Sequence, residues 1–227
     1  PPPPQLPENR QPKLAMEFNL DSADSHLSYK LLSGLVIPRP IALISTKGPT
    51  GVVNAAPFSF FNLMGDNPPI LIVSIEYRDD GSMKDSSRNI IETGEFVVNL
   101  VDEALADKMH ACSTAFPPET SEPEVLGLAL EPSSHIGVPR LAEAPVALEC
   151  TLYQTVSIGT HRQLIIGRIH HLHAREGIID PATMRIDMSR YFPIGRLFAD
   201  RYCRTRDQFA VDTSPDFIAR AKAAGRV

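Results

Sequence analysis

Between Pro40 and Leu100 the chain is cut into short apolar runs, each ended by residues that force a turn, and this rhythm restricts the fold more than any other feature of the sequence. Ile41 to Ser45 (IALIS) runs into Lys47-Gly48-Pro49-Thr50-Gly51, after which VVNAAPFSF resumes, a pattern that predicts a hairpin. A third strand, Ile70 to Ile75, enters after Pro68-Pro69, which lack the N–H that a ladder requires. Ser82 is placed to cap a helix over Met83 to Thr93, with Gly94 ending it in the left-handed conformation. Glu95 to Leu100 (EFVVNL) then returns as a buried strand.

Further on, Asp102 to His110 reads as a second short helix, and Ser113 to Pro139, irregular and proline-containing, as surface loops. Val146 to Ile158 and Gln163 to His173 are two long β-rich segments joined by Gly159-Thr160-His161-Arg162, a second hairpin. Ser214-Pro215-Asp216 supplies a cap, an N1 proline and a first-turn acid for a helix over FIARAKAA. Tight turns outnumber strand–helix alternations, so the expected fold is mainly β with helices (α+β), an antiparallel barrel with appended helices. An open α+β sandwich fits the same short runs. Residues 1–15, with prolines at 1, 2, 3, 4, 7 and 12, read as an extended tail before a single domain over 16–227.

A formal charge of −5 and the lack of a basic stripe argue against a nucleic-acid partner. No apolar run approaches the roughly 18 residues of a membrane span, and the proline-rich start has no signal-peptide core. Cys112, Cys150 and Cys203 are odd in number and widely spaced, which suits a reducing compartment; the cytoplasm is the expected location. Neither G-x-G-x-x-G nor a P-loop occurs, and neither a G-x-S-x-G elbow nor H-E-x-x-H. His170, His171 and His173 invite a metal reading, with His171 and His173 on one face of a strand, but no neighbouring carboxylate in sequence completes a ligand set and none is assigned. Cys112 beside His110 reads as a buried thiol.

Three pieces do carry chemistry. Ser45-Thr46 puts two hydroxyls at a strand end before a glycine turn, suited to phosphate or sugar-alcohol oxygens, though such residues are common at strand ends. Asn54 to Phe61 (NAAPFSFF) has small residues that let a planar ring approach the backbone, and it reads equally well as a buried strand. Lys84, Ser86 and Ser87 open a helix whose free N–H groups and dipole favour an anion; a capped surface helix fits the same residues.

VIPRPIALIST, NAAPFSFF, KDSSRNI and ETGEFVVNL, in this order and at these separations, resemble the flavin reductase-like family of FMN-binding split barrels, in particular its flavoredoxin-like branch. The likeness is strong over Leu31 to Leu100 and looser at GTHRQLIIGRIHHLHA and YFPIGRL. It implies a split-barrel homodimer with FMN near the subunit interface, FAD being a possible substitute. On the matching positions, Ser45, Thr46, Lys84 and Ser86 would hold the phosphate and ribityl end, with Asn89 close by and Arg39 reaching the phosphate. Asn54, Ala55, Ala56, Pro57, Phe58 and Ser59 would line the isoalloxazine. Relatives with a Gly-Asp-His turn use its histidine near the nicotinamide; here the turn is Gly159-Thr160-His161, so His161 is the substrate-side candidate and the acid is replaced. The implied activity is an NAD(P)H:flavin oxidoreductase that supplies reduced flavin to a partner such as a monooxygenase. The alternatives are a flavoredoxin-like FMN electron carrier and a protein with a vestigial pocket. Because the flavin does the redox chemistry, no side-chain acid or nucleophile is expected.

Overall fold

The computed structural model describes residues 16–223, and the proline-rich tail expected over 1–15 lies outside them. The chain divides into two units, Pro1–Ile37 and Pro38–Val227. The first contains helix α1 (Ser25–Leu35), which the sequence reading left unassigned; its local signal is Asp24, whose side chain accepts a hydrogen bond from the Leu27 N–H (2.8 Å) as an N-cap does.

In the second unit, strands β1 (Ala42–Lys47), β2 (Val53–Phe58), β3 (Phe61–Asp66) and β4 (Pro69–Glu76) precede helix α2 (Asp85–Thr93) and strand β5 (Glu95–Leu100). A 3₁₀ turn (Glu103–Leu105), α3 (Ala106–Ala111), α4 (Glu122–Val125) and the short strands β6 (Leu130–Glu131) and β7 (Arg140–Leu141) follow. The long strands β8 (Val146–Ile158) and β9 (Arg162–Ala174) form the second expected hairpin, and β10 (Ile194–Arg196), β11 (Tyr202–Arg204) and α5 (Pro215–Ala223) complete the unit.

The main sheet has seven strands in the order β2-β1-β5-β8-β9-β4-β3, antiparallel throughout. Its two outermost strands, β2 and β3, are consecutive in the chain and joined only by Ser59-Phe60. Laid flat, a sheet this wide separates its edges by roughly 30 Å, whereas such a link spans at most about 11 Å. The sheet therefore rolls up, and a hydrogen bond from the Ser74 N–H of β4 to the Phe60 carbonyl (2.8 Å) carries the β3–β4 ladder up to the link. Because β2 and β3 share no ladder, the barrel is split there, and the open-sandwich alternative is excluded. Bulges at His170 of β9, opposite Glu149/Cys150, and at Tyr153 of β8 supply the curvature.

Alternation sorts each strand between two cores. Ala42 and Ile44 of β1 face the barrel interior with Phe58, Leu71, Val73, Ile75, Phe96, Val98, Cys150 and Ile165, and Ile90 of α2 joins them. Ile41 and Leu43 face outward into a second cluster with Ala55, Leu105, Met109, Leu141 and Ile194. Gly167 is required where it stands, since a Cβ there would lie 2.3 Å from Cζ of the buried Phe96 ring.

Three expectations need correction. The NAAPFSFF run is not one strand to Phe61 but breaks at Ser59-Phe60 to start β3, whose sequence FNLMGD mixes apolar residues with the turn-favouring Asn62, Gly65 and Asp66 and so gives no clear strand pattern. Ser82 does not cap α2: its N–H bonds to Asp80 Oδ1 (2.8 Å) in a turn, and Lys84 takes the N-cap position without a side-chain cap bond. Ser113 to Pro139 is more than surface loop, since it holds α4 and β6 and buries Glu122. Gly94 ends α2 at φ 74°, as expected.

Candidate functional site

Helix α2 closes one end of the barrel beside β1 and β2, anchored by Ile90 inside and by two polar contacts. Thr46 and Asn54 are cross-strand partners on the interior-facing side. Thr46 Oγ1 accepts from Asn89 Nδ2 (3.0 Å), and the Asn54 amide meets Ser86 Oγ (3.0 Å). Asn89 and Ser86 lie three residues apart on one helix face, so a strand pair built from two motifs docks on the helix from a third.

This docking leaves a cleft of about 640 Å³ between β2, the start of α2 and the segment after α3, within the range of small-molecule sites. Six of the sequence-derived candidates line it: Asn54, Ala56, Pro57 and Phe58 on the strand side, Lys84 and Ser86 on the helix side. The rest of the wall comes from the Glu76–Asp80 stretch with Asp85, from Cys112–Phe116, and from Glu122, which the sequence reading did not select.

The other candidates lie elsewhere. Ser45 is fully buried on the opposite face of β1 from Thr46; its hydroxyl donates to the Pro139 carbonyl (2.8 Å) and accepts from Asn99 Nδ2 (3.1 Å). Adjacent strand residues point to opposite faces, so the two hydroxyls of Ser45-Thr46 cannot serve one ligand group. Ala55 also packs in the outer cluster. Arg39 reaches Ser59 Oγ (3.3 Å) and the Leu197 carbonyl (2.8 Å), so these two candidates meet each other at the barrel seam and neither is among the cleft-lining residues. Thr46 and Asn89 brace the cleft from behind. His161 sits at the β8–β9 turn, where its carbonyl accepts from the N–H of Tyr77, a cleft residue (2.9 Å), while its ring meets Thr160 Oγ1 (3.2 Å).

Charge in the cleft is concentrated at the helix start. Asp85 pairs with both Arg78 and Arg88, which leaves Lys84 as the cation of the first turn without an ion pair among the described residues. Glu122 is buried, and Oε2 accepts from the Ala55 N–H (3.0 Å). Burial, aided by nearby Asp85, pushes its carboxyl above the ordinary value, against the pull of the Ala55 hydrogen bond. Burial, and then Glu122, pushes the neighbouring Cys112 thiol up to about 12, so it is no nucleophile. The histidines of β9 are engaged apart from the cleft: His173 pairs with buried Glu149, and His170 stacks on His135 with ring centroids 4.5 Å apart.

Residues 33–195 match the model of the flavin reductase like domain. The chain belongs to the flavin reductase-like family. Its barrel has the split-barrel form found among flavin reductase-like structures. A solved structure of 2-nitrobenzoate 2-nitroreductase from Pseudomonas fluorescens is 37% identical, with a TM-score of 0.82, and the match covers 88% of this chain and 97% of that one. Component B of nitrilotriacetate monooxygenase from Bacillus cereus is 35% identical with the same TM-score of 0.82, over 86% and 98% of the two chains. The FMN reductase (NADH) of Pseudomonas syringae is 30% identical over 141 residues, 62% of this chain and 72% of that protein. Family membership supports an oxidoreductase reaction.

Proposed function

We propose that this flavin reductase-like protein binds FMN in the cleft between β2 and the start of α2, takes hydride from NAD(P)H and passes reducing equivalents to a partner. The observation that carries this reading is the convergence of Asn54 and Ala56–Phe58 with Lys84 and Ser86 on a single cleft. The donor set suits a phosphorylated flavin. Lys84, the Ser86 hydroxyl and the free N–H groups of the first turn of α2 would hold the phosphate. The small side chain of Ala56 and the β2 backbone would let the ring lie close, with Phe58 packed below. Flavin, once bound, supplies the hydride-accepting centre, and the protein's task is to bind, orient and exclude water. Glu76, Asp79 and Asp80 on the same wall disfavour a second phosphate, so FMN is preferred over FAD.

The FMN reductase and monooxygenase component among the relatives support NAD(P)H as donor and a monooxygenase as acceptor, and the nitroreductase supports a nitroarene as a further acceptor class. A homodimer and a cytoplasmic location complete the reading; no helix among the described residues is long and apolar enough to cross a membrane. His161, beside Tyr77 at the cleft edge, is the proposed nicotinamide-side residue. Its ring contact with Thr160, where relatives have an acid, favours a second reading in which the protein is an FMN electron carrier with slow nicotinamide turnover. Anaerobic addition of NADH or NADPH to the FMN-loaded protein separates the two. Bleaching of the flavin band within seconds supports the reductase, and persistent yellow colour that only a chemical reductant removes supports the carrier.

A further inference from the structure

Glu122 lies in the segment to which the sequence reading assigned no role, yet its carboxyl group stands at the junction of both halves of the cleft. Oε2 accepts from the Ala55 N–H (3.0 Å), and Oε1 lies 3.3 Å from the amide of Asn54. The other end of that amide lies 3.0 Å from Ser86 Oγ. Glu122, Asn54 and Ser86 thus form a short chain from α4 through β2 to the start of α2, and all three are buried and line the cleft.

Hydrogen-bond polarity in this chain has two self-consistent settings. With Glu122 ionised, Asn54 must turn Nδ2 toward it, and Oδ1 then accepts the Ser86 hydroxyl hydrogen. With a proton on Oε1, Glu122 donates to Asn54 Oδ1, Nδ2 donates to Ser86 Oγ, and the Ser86 hydrogen is released to another acceptor. We propose that Glu122 is a positioning residue whose proton, relayed by a flip of the Asn54 amide, decides whether Ser86 can donate to an anionic group at the start of α2. Binding of such a group therefore takes up one proton from solvent onto Glu122. The inference rests on the phosphate placement in the proposed function.

Facing Glu122 are Asp85 of α2 and the Cys112 thiol beyond α3, with Arg78 and Arg88 held against Asp85 and Lys84 on the same cleft wall. Burial and Asp85 already raise the carboxyl group, which brings its titration toward the working range. By linkage, a site that binds its ligand better when protonated binds more tightly as pH falls, by up to about tenfold per unit between the free and bound pKa values.

The test is calorimetric titration of FMN into the flavin-free full chain between pH 5 and 9, in buffers of different ionisation enthalpy. Proton uptake and tighter binding at lower pH are expected for FMN. Riboflavin, which lacks the phosphate, should bind without linked uptake. Phosphate ionisation near pH 6 gives the opposite sign, since a cationic site releases its proton. Glu122→Gln donates permanently to Asn54 Oδ1, so it should bind at the tight limit with no proton uptake, leaving only the release from the phosphate near pH 6. Ser86→Ala should abolish the uptake at the weak limit, and carries the test if the glutamine variant does not fold. Uptake that persists in either variant, or a wild type that takes up no proton above pH 7, overturns the relay. Failure of FMN to bind at any pH overturns the underlying flavin reading instead.

Discussion

At the start of α2, Lys84 carries a full positive charge next to N–H groups that the helix itself leaves without acceptors. If it makes a charge-assisted bond to the FMN phosphate, Lys84→Ala weakens binding by about 1.5–3 kcal/mol, read from the quenching of flavin fluorescence. Glu149 shows the opposite use of a carboxylate. Burial pushes it up, but the His173 ring and the N–H groups of Ser134 and His135 (both 2.7 Å) outweigh that and hold its pKa at about 2. A carboxyl group depressed on folding contributes stability that is present above its unfolded value and lost as pH falls toward the folded one. Glu149→Gln should therefore cost about 3 kcal/mol at pH 7 by urea unfolding, with the difference shrinking below about pH 4.5. A variant as stable as the wild type at pH 7 would show that the site is merely packed. Residue chemistry was only partly legible in the sequence. Lys84 and Ser86 stand out because a helix start announces itself, whereas Ser45 misleads because a hydroxyl in a strand does not declare its face. Glu122 carried no sequence signal, since its burial depends on α4 docking across β2.

Among the elements, β9 depends on Gly167 to pass the Phe96 ring. Gly167→Ala places a methyl group inside that ring's envelope, and because Phe96 is fully buried the neighbours cannot yield freely. A loss of about 1–3 kcal/mol is expected in thermal or denaturant unfolding. An unchanged midpoint would mean that the strand shifts without cost. Elements with strong punctuation were readable: β1 and β2 flank a glycine turn, β8 and β9 another, and Gly94 ends α2. Those that depend on tertiary contacts were not. Strand β3 carries turn-favouring Asn62, Gly65 and Asp66 and is a strand because Phe61 to Leu63 pair with Leu71 to Val73, while α4 is one turn long.

At the level of the whole molecule, the two-residue link between the outermost strands makes a barrel of what would otherwise be an open sheet, and α2 closes one end. Neither the closure nor the cleft is written in any single motif; both appear when strands far apart in sequence, such as β1 and β5 or β4 and β9, pair. The order and spacing of four motifs did point to the family, and the fold brings the most informative pieces of two of them, Asn54 with Ala56–Phe58 and Lys84–Ser86, to one cleft. The most direct test is a titration of FMN into the purified, flavin-free chain, followed by fluorescence, beside Lys84→Ala and Arg206→Ala, the latter in a separate pocket with Glu103 and Phe192. Saturable quenching at one FMN per chain is expected, weakened by the Lys84 change and untouched by the Arg206 change. No saturable binding, or equal loss in both variants, would contradict FMN binding in this cleft.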